Sequence, residues 1–426
     1  MHRRRVLLGV ATGLVGGVAG CSGNGPGGPP TDAASGGAGG TTDRTRTTTD
    51  RSGSGSGPPD RSAPTVAGRE LPIPREELVE GVPPGAIRAI VEPAFGADWS
   101  DVSITLTEGD SEVTYRPRLT DGDPVIGVER DGEARAYPLR ILDSHEIVND
   151  VLGEPILVSY CPVCASGVVA SRVVRGQPAT FDVSGLLWKL NLVMVDDVTR
   201  SLWAQAAATA IRGELTGTTL DLLPATLTKW SAWRNRHPDT SVLLPPPYSK
   251  PRYHDQPGYG TAGSYVRDAN GNSSEPTGAS DDLDRGKFTH VLGVTVDGAA
   301  KAYPLPVVVE EGVINDAVGG FPVVVSVAPG RSLVAYDRRV EGRTLAFTGA
   351  DDRYLRAGGS RWLRPTGTAV DGPYAGTSLD RATFVPRMFW ATWRDFHPET
   401  DVYGDRTFDR GGSSTTTTST PGDGGT

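Results

Sequence analysis

Sulfur and imidazole are scarce in this chain: three cysteines, three methionines and six histidines in 426 residues. A single C-x-x-C pair is therefore all the thiol it can offer a metal at one place, and that cannot fill a tetrahedral zinc site alone. Lysine is nearly missing, and acidic residues outnumber basic ones, 51 against 42. A formal charge of -9 leaves no nucleic-acid footprint. Asp182, Ser184 and Ser201 have no Ser/His/Asp spacing around them that would support hydrolysis. Gly185 lies in Ser184-Gly185-Leu186-Leu187, which has no phosphate-loop pattern.

What the chain does have is concentrated. Two of the three cysteines fall in Ser159-Tyr160-Cys161-Pro162-Val163-Cys164-Ala165-Ser166-Gly167. Just upstream lies a dense polar run, Asp143-Ser144-His145-Glu146-Ile147-Val148-Asn149-Asp150. A short apolar strand, Ile156-Leu157-Val158, separates them. A tight return between the two segments brings His145, Glu146 and both thiols together.

The third cysteine ends a different pattern. Met1-His2-Arg3-Arg4-Arg5 precedes a short apolar stretch that closes on Val18-Ala19-Gly20-Cys21. A basic start, a short apolar core and small residues before a cysteine form a secretory signal, too short for a normal membrane span. The ending resembles a lipobox, with Cys21 as the lipidated residue, and Arg4-Arg5 resembles a twin-arginine signal. The expected location is the outer face of the cytoplasmic membrane. Residues 22–68 are Gly, Ser, Thr, Pro and Asp with almost nothing to bury, so they read as a disordered tether. Residues 408–426, with their threonine run, read the same way. This acidic, lysine-poor, tethered composition resembles haloarchaeal exported lipoproteins. The remaining length, about 340 residues, suffices for two domains.

Compared with itself, the chain repeats. Gly127-Val128, Asp131-Gly132, Ala136-Tyr137-Pro138-Leu139 and Asn149-Asp150 recur as Gly293-Val294, Asp297-Gly298, Ala302-Tyr303-Pro304-Leu305 and Asn315-Asp316. Trp230-x-x-Trp233-Arg234-x-x-His237-Pro238 recurs as Trp390-x-x-Trp393-Arg394-x-x-His397-Pro398. The expected plan is a first repeat domain at 69–246 with a short prelude, a linker at 247–286, and a second, degenerate repeat at 287–407. The copies differ where chemistry is expected: Cys161 aligns with Ala328, Cys164 with Arg331, and His145-Glu146 with Glu311-Gly312.

Strand signals outnumber helical ones, so the expected fold is α+β, mostly β, with an internal duplication giving two similar β-rich domains. Hairpins are predicted around Asp131-Gly132, a helical turn or two over Leu139–Asn149, a strand over Pro155–Tyr160 ending at the cysteines, and a small helix beginning within Pro83–Ile90. Leu190–Val195 reads as a core-crossing segment and Thr228–Arg236 as a helix ending at His237-Pro238. Asn149-Asp150 reads as a turn or cap.

Two thiols at C-x-x-C spacing serve a soft metal, thiol-disulfide exchange, or a plain structural disulfide; the expected function is one soft-metal site in the first repeat, the alternatives being an extracytoplasmic thiol-disulfide oxidoreductase and a non-catalytic binding or scaffold lipoprotein. Proline after Cys161 can start a helix whose free N–H groups would lower the Cys161 pKa. His145, Glu146 and Met194 are candidate further ligands, and two thiolates with imidazole and thioether favour copper, then zinc. In the redox reading Cys161 attacks and Cys164 resolves. Each candidate has an ordinary alternative: local hydrogen bonding for His145, a solvated neighbour for Glu146, core packing for Met194 and the paired tryptophans. His237 and His397 read as structural. No substrate is legible, and a monomer with its repeats packed on one another is expected.

The run His145–Asp150 with Tyr160–Gly167 resembles the bacterial and archaeal family known as domain of unknown function 3179. Phe181–Leu187, Asn191–Asp196, Thr199–Gln205 and the Trp230–Pro238 ending carry the same resemblance. It covers about 75 to 405 and implies no established reaction. It marks His145, Glu146, Cys161, Cys164 and Met194 as family-characteristic.

Overall fold

In the computed structural model, residues 63–248 and 288–404 are described. The signal with Cys21, most of the tether, nearly all of the linker and the tail lie outside the described residues. The fold is α+β and rich in strand, with four α-helices of one to two turns among the described residues. No described helix is long and apolar enough to cross a membrane.

Strands β1 (Pro124–Arg130) and β2 (Glu133–Pro138) form an antiparallel hairpin. Its two turn residues, Asp131 and Gly132, both take positive φ, as a twist-compatible two-residue turn demands. Helix α1 (Leu139–His145) follows directly and buries Leu139, Ile141 and Leu142. The sequence pattern carried this helix on to Asn149, but it stops at His145. Glu146 caps it in the left-handed conformation, and the β-branched pair Ile147-Val148 opens strand β3 (Ile147–Leu152). Strand β4 (Glu154–Cys161) runs antiparallel to β3, and β5 (Ser166–Ser171) flanks β4 on its other side.

A second sheet holds β6 (Phe181–Trp188), β7 (Asn191–Asp196), β8 (Leu202–Ala204) and β9 (Thr209–Arg212), with Val79–Glu80 beyond β6. Strand β10 (Thr226–Lys229) returns to pair with β1 and leads into α2 (Trp230–Arg236). Pro83–Ile90 is not the helix expected: it is turn and irregular chain, and Ile90 bridges to Val148 instead. The end of the tether is likewise ordered, since Thr65–Val66 pairs with Arg69–Glu70.

Beyond the linker come β11 (His290–Val296), β12 (Ala299–Pro304), α3 (Leu305–Glu311), β13 (Val313–Val318), β14 (Phe321–Ala328) and β15 (Ser332–Asp337). Later, β16 (Met388–Phe389) pairs with β11 and leads into α4 (Trp390–Phe396).

The residues that recur in the sequence make the same contacts in each half. Trp233 Nε1 donates to Thr240 Oγ1 at 2.9 Å, and Trp393 Nε1 to Thr400 Oγ1 at 2.9 Å. Gly127 lies under Trp233 and Gly293 under Trp393, so that an added Cβ would fall 2.3 and 1.9 Å from ring carbons. Asn149 and Asp150 are strand residues rather than a turn or cap. Asn149 accepts from Phe181 N and donates to Phe181 O, as Asn315 does with Phe347. Asp150 accepts from Arg135 and Tyr137, and Asp316 from Lys301 and Tyr303. In the first half, where Asn149 and Asp150 are buried, these pairings satisfy polar groups that would otherwise cost about 1–3 kcal/mol each; Asn315 is exposed and Asp316 half-buried.

The halves interlock at two turns. Phe389 N and Thr392 Oγ1 both donate to Cys164 O, at 3.1 and 3.4 Å. In return, Thr228 Oγ1 donates to Pro329 O at 3.2 Å. Gly330 there has φ +79°, and a Cβ on it would come within 2.2 Å of Thr228 Oγ1, so glycine alone fits. Trp188 meets Phe396 edge-on at 5.5 Å across the same boundary.

Candidate functional site

Strand β4 delivers Cys161 to its end, and the four residues 162–165 turn the chain into β5. Cys164 N donates to Cys161 O at 3.2 Å to close this turn. No helix starts at Pro162, because Ser166 onward is committed to pairing with β4. The expected lowering of the Cys161 pKa by a helix N-terminus is therefore corrected. Burial pushes the Cys161 thiol well up, and its hydrogen bond to Cys164 adds to that.

The two sulfurs are free thiols 3.0 Å apart, with relative exposures of 1% and 2%. Cys164 Sγ also donates to Leu190 O at 3.1 Å. Leu190 and Lys189 form the β6–β7 turn with positive φ at both, without glycine. Ala165 and Glu146 have positive φ as well. Each such residue costs about 1–2 kcal/mol against an extended or helical alternative. Strain of this kind gathers where a side chain or carbonyl must be aimed.

Beneath the thiols lies a buried polar network that sequence reasoning did not assemble. Gln205 Nε2 donates to Ser159 Oγ at 3.1 Å and to Ser166 O at 3.0 Å. Its Oε1 accepts from Ser166 Oγ at 2.8 Å and Asn191 Nδ2 at 2.9 Å. Asn191 Nδ2 also reaches Cys164 Sγ at 3.5 Å, and Asn191 Oδ1 accepts from Ala206 N. All four side chains are essentially without exposure. The available signal was a polar residue punctuating an apolar run, as Asn191 and Gln205 do.

The other candidates divide. Glu146 is buried, not a solvated neighbour. Its own carbonyl accepts from Tyr160 N at 2.8 Å, which places it beside Cys161. Burial raises its carboxyl well above the usual range, with the Cys161 sulfur and Asp143 contributing in the same direction. At the aligned position of the second half stands Gly312, also at positive φ, so the first half keeps a carboxylate where glycine is the easier residue. His145 is buried, its Nδ1 is hydrogen-bonded to Arg88 O at 2.7 Å, and burial lowers its pKa. Met194 sits in one apolar cluster with both cysteines, Leu157, Phe181 and Trp203. Among the described residues, no three His, Cys, Asp or Glu side chains gather into a group that could hold a metal ion.

The second half fills the same place differently. Arg364 occupies the position that aligns with Gln205, as Trp362 aligns with Trp203. Its guanidinium donates to Gly312 O at 3.1 Å and Val327 O at 3.3 Å, beside Ala328.

No curated protein and no solved structure matches the chain. A family model described as "Protein of unknown function (DUF3179)" matches residues 89–400, taking in both halves and the whole of the thiol site. The chain belongs to the DUF3179 family.

Proposed function

We propose that this is an exported protein, anchored through a lipid on Cys21, whose Cys161 and Cys164 cycle between dithiol and disulfide. The observation that carries the reading is the 3.0 Å separation of two free sulfurs in a buried turn, one bond from closure. A purely structural staple is the weaker account. The ring would span four residues, worth about 2 kcal/mol of chain entropy, and the β4–β5 ladder already closes that turn.

In the forward direction the Cys161 thiolate displaces one sulfur of a partner disulfide, R–S–S–R, and releases one RSH. Cys164 then attacks the mixed disulfide and releases the second RSH. Two electrons and two protons pass to the partner, and the Cys161–Cys164 bond remains. Glu146 is the group beside Cys161 that, once ionised, accepts its proton, in a site where burial opposes both the carboxylate and the thiolate. Because both sulfurs are covered, the partner engages as the 162–165 turn opens.

The two halves are, on this reading, copies of one unit. The matched pairings of Trp233 and Trp393, Asn149 and Asn315, and Asp150 and Asp316 support that. The second copy, with Ala328, Arg331 and Gly312, serves as structure. Soft-metal ligation by both sulfurs, copper before zinc, is the second reading, favoured by Met194 in the same apolar cluster.

Metal content by mass spectrometry, a free-thiol count and a glutathione redox titration on one preparation test both readings. Metal-free protein that reversibly gains and loses two thiols supports the redox cycle. One copper or zinc per chain, lost in the Cys161→Ser, Cys164→Ser double variant, replaces it with metal binding. Thiols that stay reduced under oxidising glutathione, without metal, end both.

A further inference from the structure

The second half lacks the thiol pair, yet it grips the turn that carries the pair in the first half. Cys164 is held from two sides. Its carbonyl oxygen accepts from Phe389 N at 3.1 Å and Thr392 Oγ1 at 3.4 Å, both of the second half. Ala165, at positive φ, packs against Phe389 at the same point. From the other side, Cys164 Sγ donates to Leu190 O at 3.1 Å. Thr392 is itself buried, with a relative exposure of 5%, so its bond to the turn is shielded from water.

Disulfide formation works against both grips. The sulfurs lie 3.0 Å apart and a disulfide bond is about 2.0 Å long, so closure draws them together by about 1 Å. Closure also removes the proton that Cys164 gives to Leu190 O, in a turn where Lys189 and Leu190 both stand at positive φ. A carbonyl oxygen has two lone pairs, and the second half supplies a donor to each on Cys164. The reciprocal turn of the second half gives the contrast. There Thr228 Oγ1 donates to Pro329 O at 3.2 Å, and Arg331 stands where the first half has Cys164, so that bond crosses the same boundary onto a turn without sulfur.

We infer that Thr392 is a positioning residue for the thiol pair. With Phe389 N it fixes the Cys164 carbonyl in the dithiol arrangement, and so shifts the balance between dithiol and disulfide toward the dithiol. Thr392 thereby regulates the redox cycle proposed above, on which the inference rests. The coupling is reciprocal: oxidation weakens the grip of the second half on the turn by the same factor. A neutral hydrogen bond is worth about two- to tenfold in an equilibrium, and tenfold in this two-electron couple is about 30 mV.

The test is a titration of the full chain against mixtures of reduced and oxidised glutathione, with the thiols counted by alkylation and mass. Each oxidation passes two electrons and two protons from the pair to oxidised glutathione, which leaves as two thiols. Thr392→Val keeps the side-chain shape without the hydroxyl. Its disulfide should form about two- to tenfold more readily, a midpoint roughly 10–30 mV more negative. Thr392→Ser, which keeps the hydroxyl, and Thr228→Val, which removes the bond to Pro329, should titrate as wild type does. A wild-type chain that never forms the disulfide ends this inference together with the redox reading. If wild type cycles but the Thr392→Val midpoint is unmoved, or moves the other way, this inference alone ends; an equal shift in either control ends it too. If Thr392→Val fails to fold, judged by its unfolding transition, hydrogen exchange at the Phe389 amide of wild type decides. Faster exchange in the disulfide form is expected, and equal exchange overturns the inference.

Discussion

Replacing Gln205 by leucine tests whether the polar network beneath the thiols holds the site together. The two side chains are close in size, so the change removes hydrogen bonds with little change in volume. Four bonds go, at 3.1, 3.0, 2.8 and 2.9 Å, and Ser159 Oγ and Ser166 O lose their Gln205 donor in a region without water access, while Ser166 Oγ keeps Asn191 Nδ2 at 3.3 Å. Each stranded group costs about 1–3 kcal/mol, and the added apolar surface returns about 1 kcal/mol. The net loss expected is about 2–4 kcal/mol, a large part of a total stability of about 5–15 kcal/mol. Urea unfolding should show a lower midpoint with an unchanged slope. Combining Gln205→Leu with Ser159→Ala should cost less than the sum of the single changes, because the two share a bond. A loss below about 0.5 kcal/mol, the size of an ordinary surface substitution, would refute the reasoning.

Three further expectations can be checked by equilibrium unfolding. Gly293→Ala drives a Cβ to 1.9 Å from Trp393 and should destabilise by about 3 kcal/mol or more, whereas Gly122→Ala, with nothing within 4 Å, should stay within about 0.5 kcal/mol; equal costs would show that the glycine is not there for the tryptophan. Glu146 has a raised folded-state pKa, so its contribution is fully present below the unfolded value of about 4.3 and is lost as pH rises through the folded value. Glu146→Gln should therefore gain on wild type as pH climbs, and a pH-independent difference would contradict the burial account. His397, tilted 32° against Trp393 with ring centroids 3.9 Å apart, is lowered by burial to about 4. Below pH about 6.5 the unfolded chain takes up a proton that the folded chain refuses, so stability falls by up to about 3 kcal/mol as pH drops toward 4. His397→Gln should flatten that slope, and an unchanged slope would assign it to other groups.

The elements that sequence reasoning recovered are those whose signals are local. The Asp131-Gly132 turn, the strand ending at Cys161 and the Trp230–Arg236 helix each announce themselves within about ten residues. The repeated tryptophans were read as packing, and their matched bonds to Thr240 and Thr400 agree. The errors arise where pairing partners decide. Pro162 can start a helix in isolation, but Ser166–Ser171 pairs with the preceding strand and forces a turn. Asn149-Asp150 has turn chemistry by composition, yet its neighbours Ile147 and Val148 belong to a sheet. The network of Ser159, Ser166, Asn191 and Gln205 was out of reach for a related reason. Its members are spread over residues 159–205 and meet only through strand register, which no local pattern states.

The interlocked turns also set an order of events during synthesis. The cover over the cysteine turn comes from Phe389 and Thr392, the latter 228 residues downstream of Cys164. At a translation rate of about 5–20 residues per second, roughly ten to forty-five seconds separate the two. Through that interval the thiols belong to a half-built molecule with one wall missing. Whichever oxidant or reductant meets the nascent chain first can set the state that the second half then encloses.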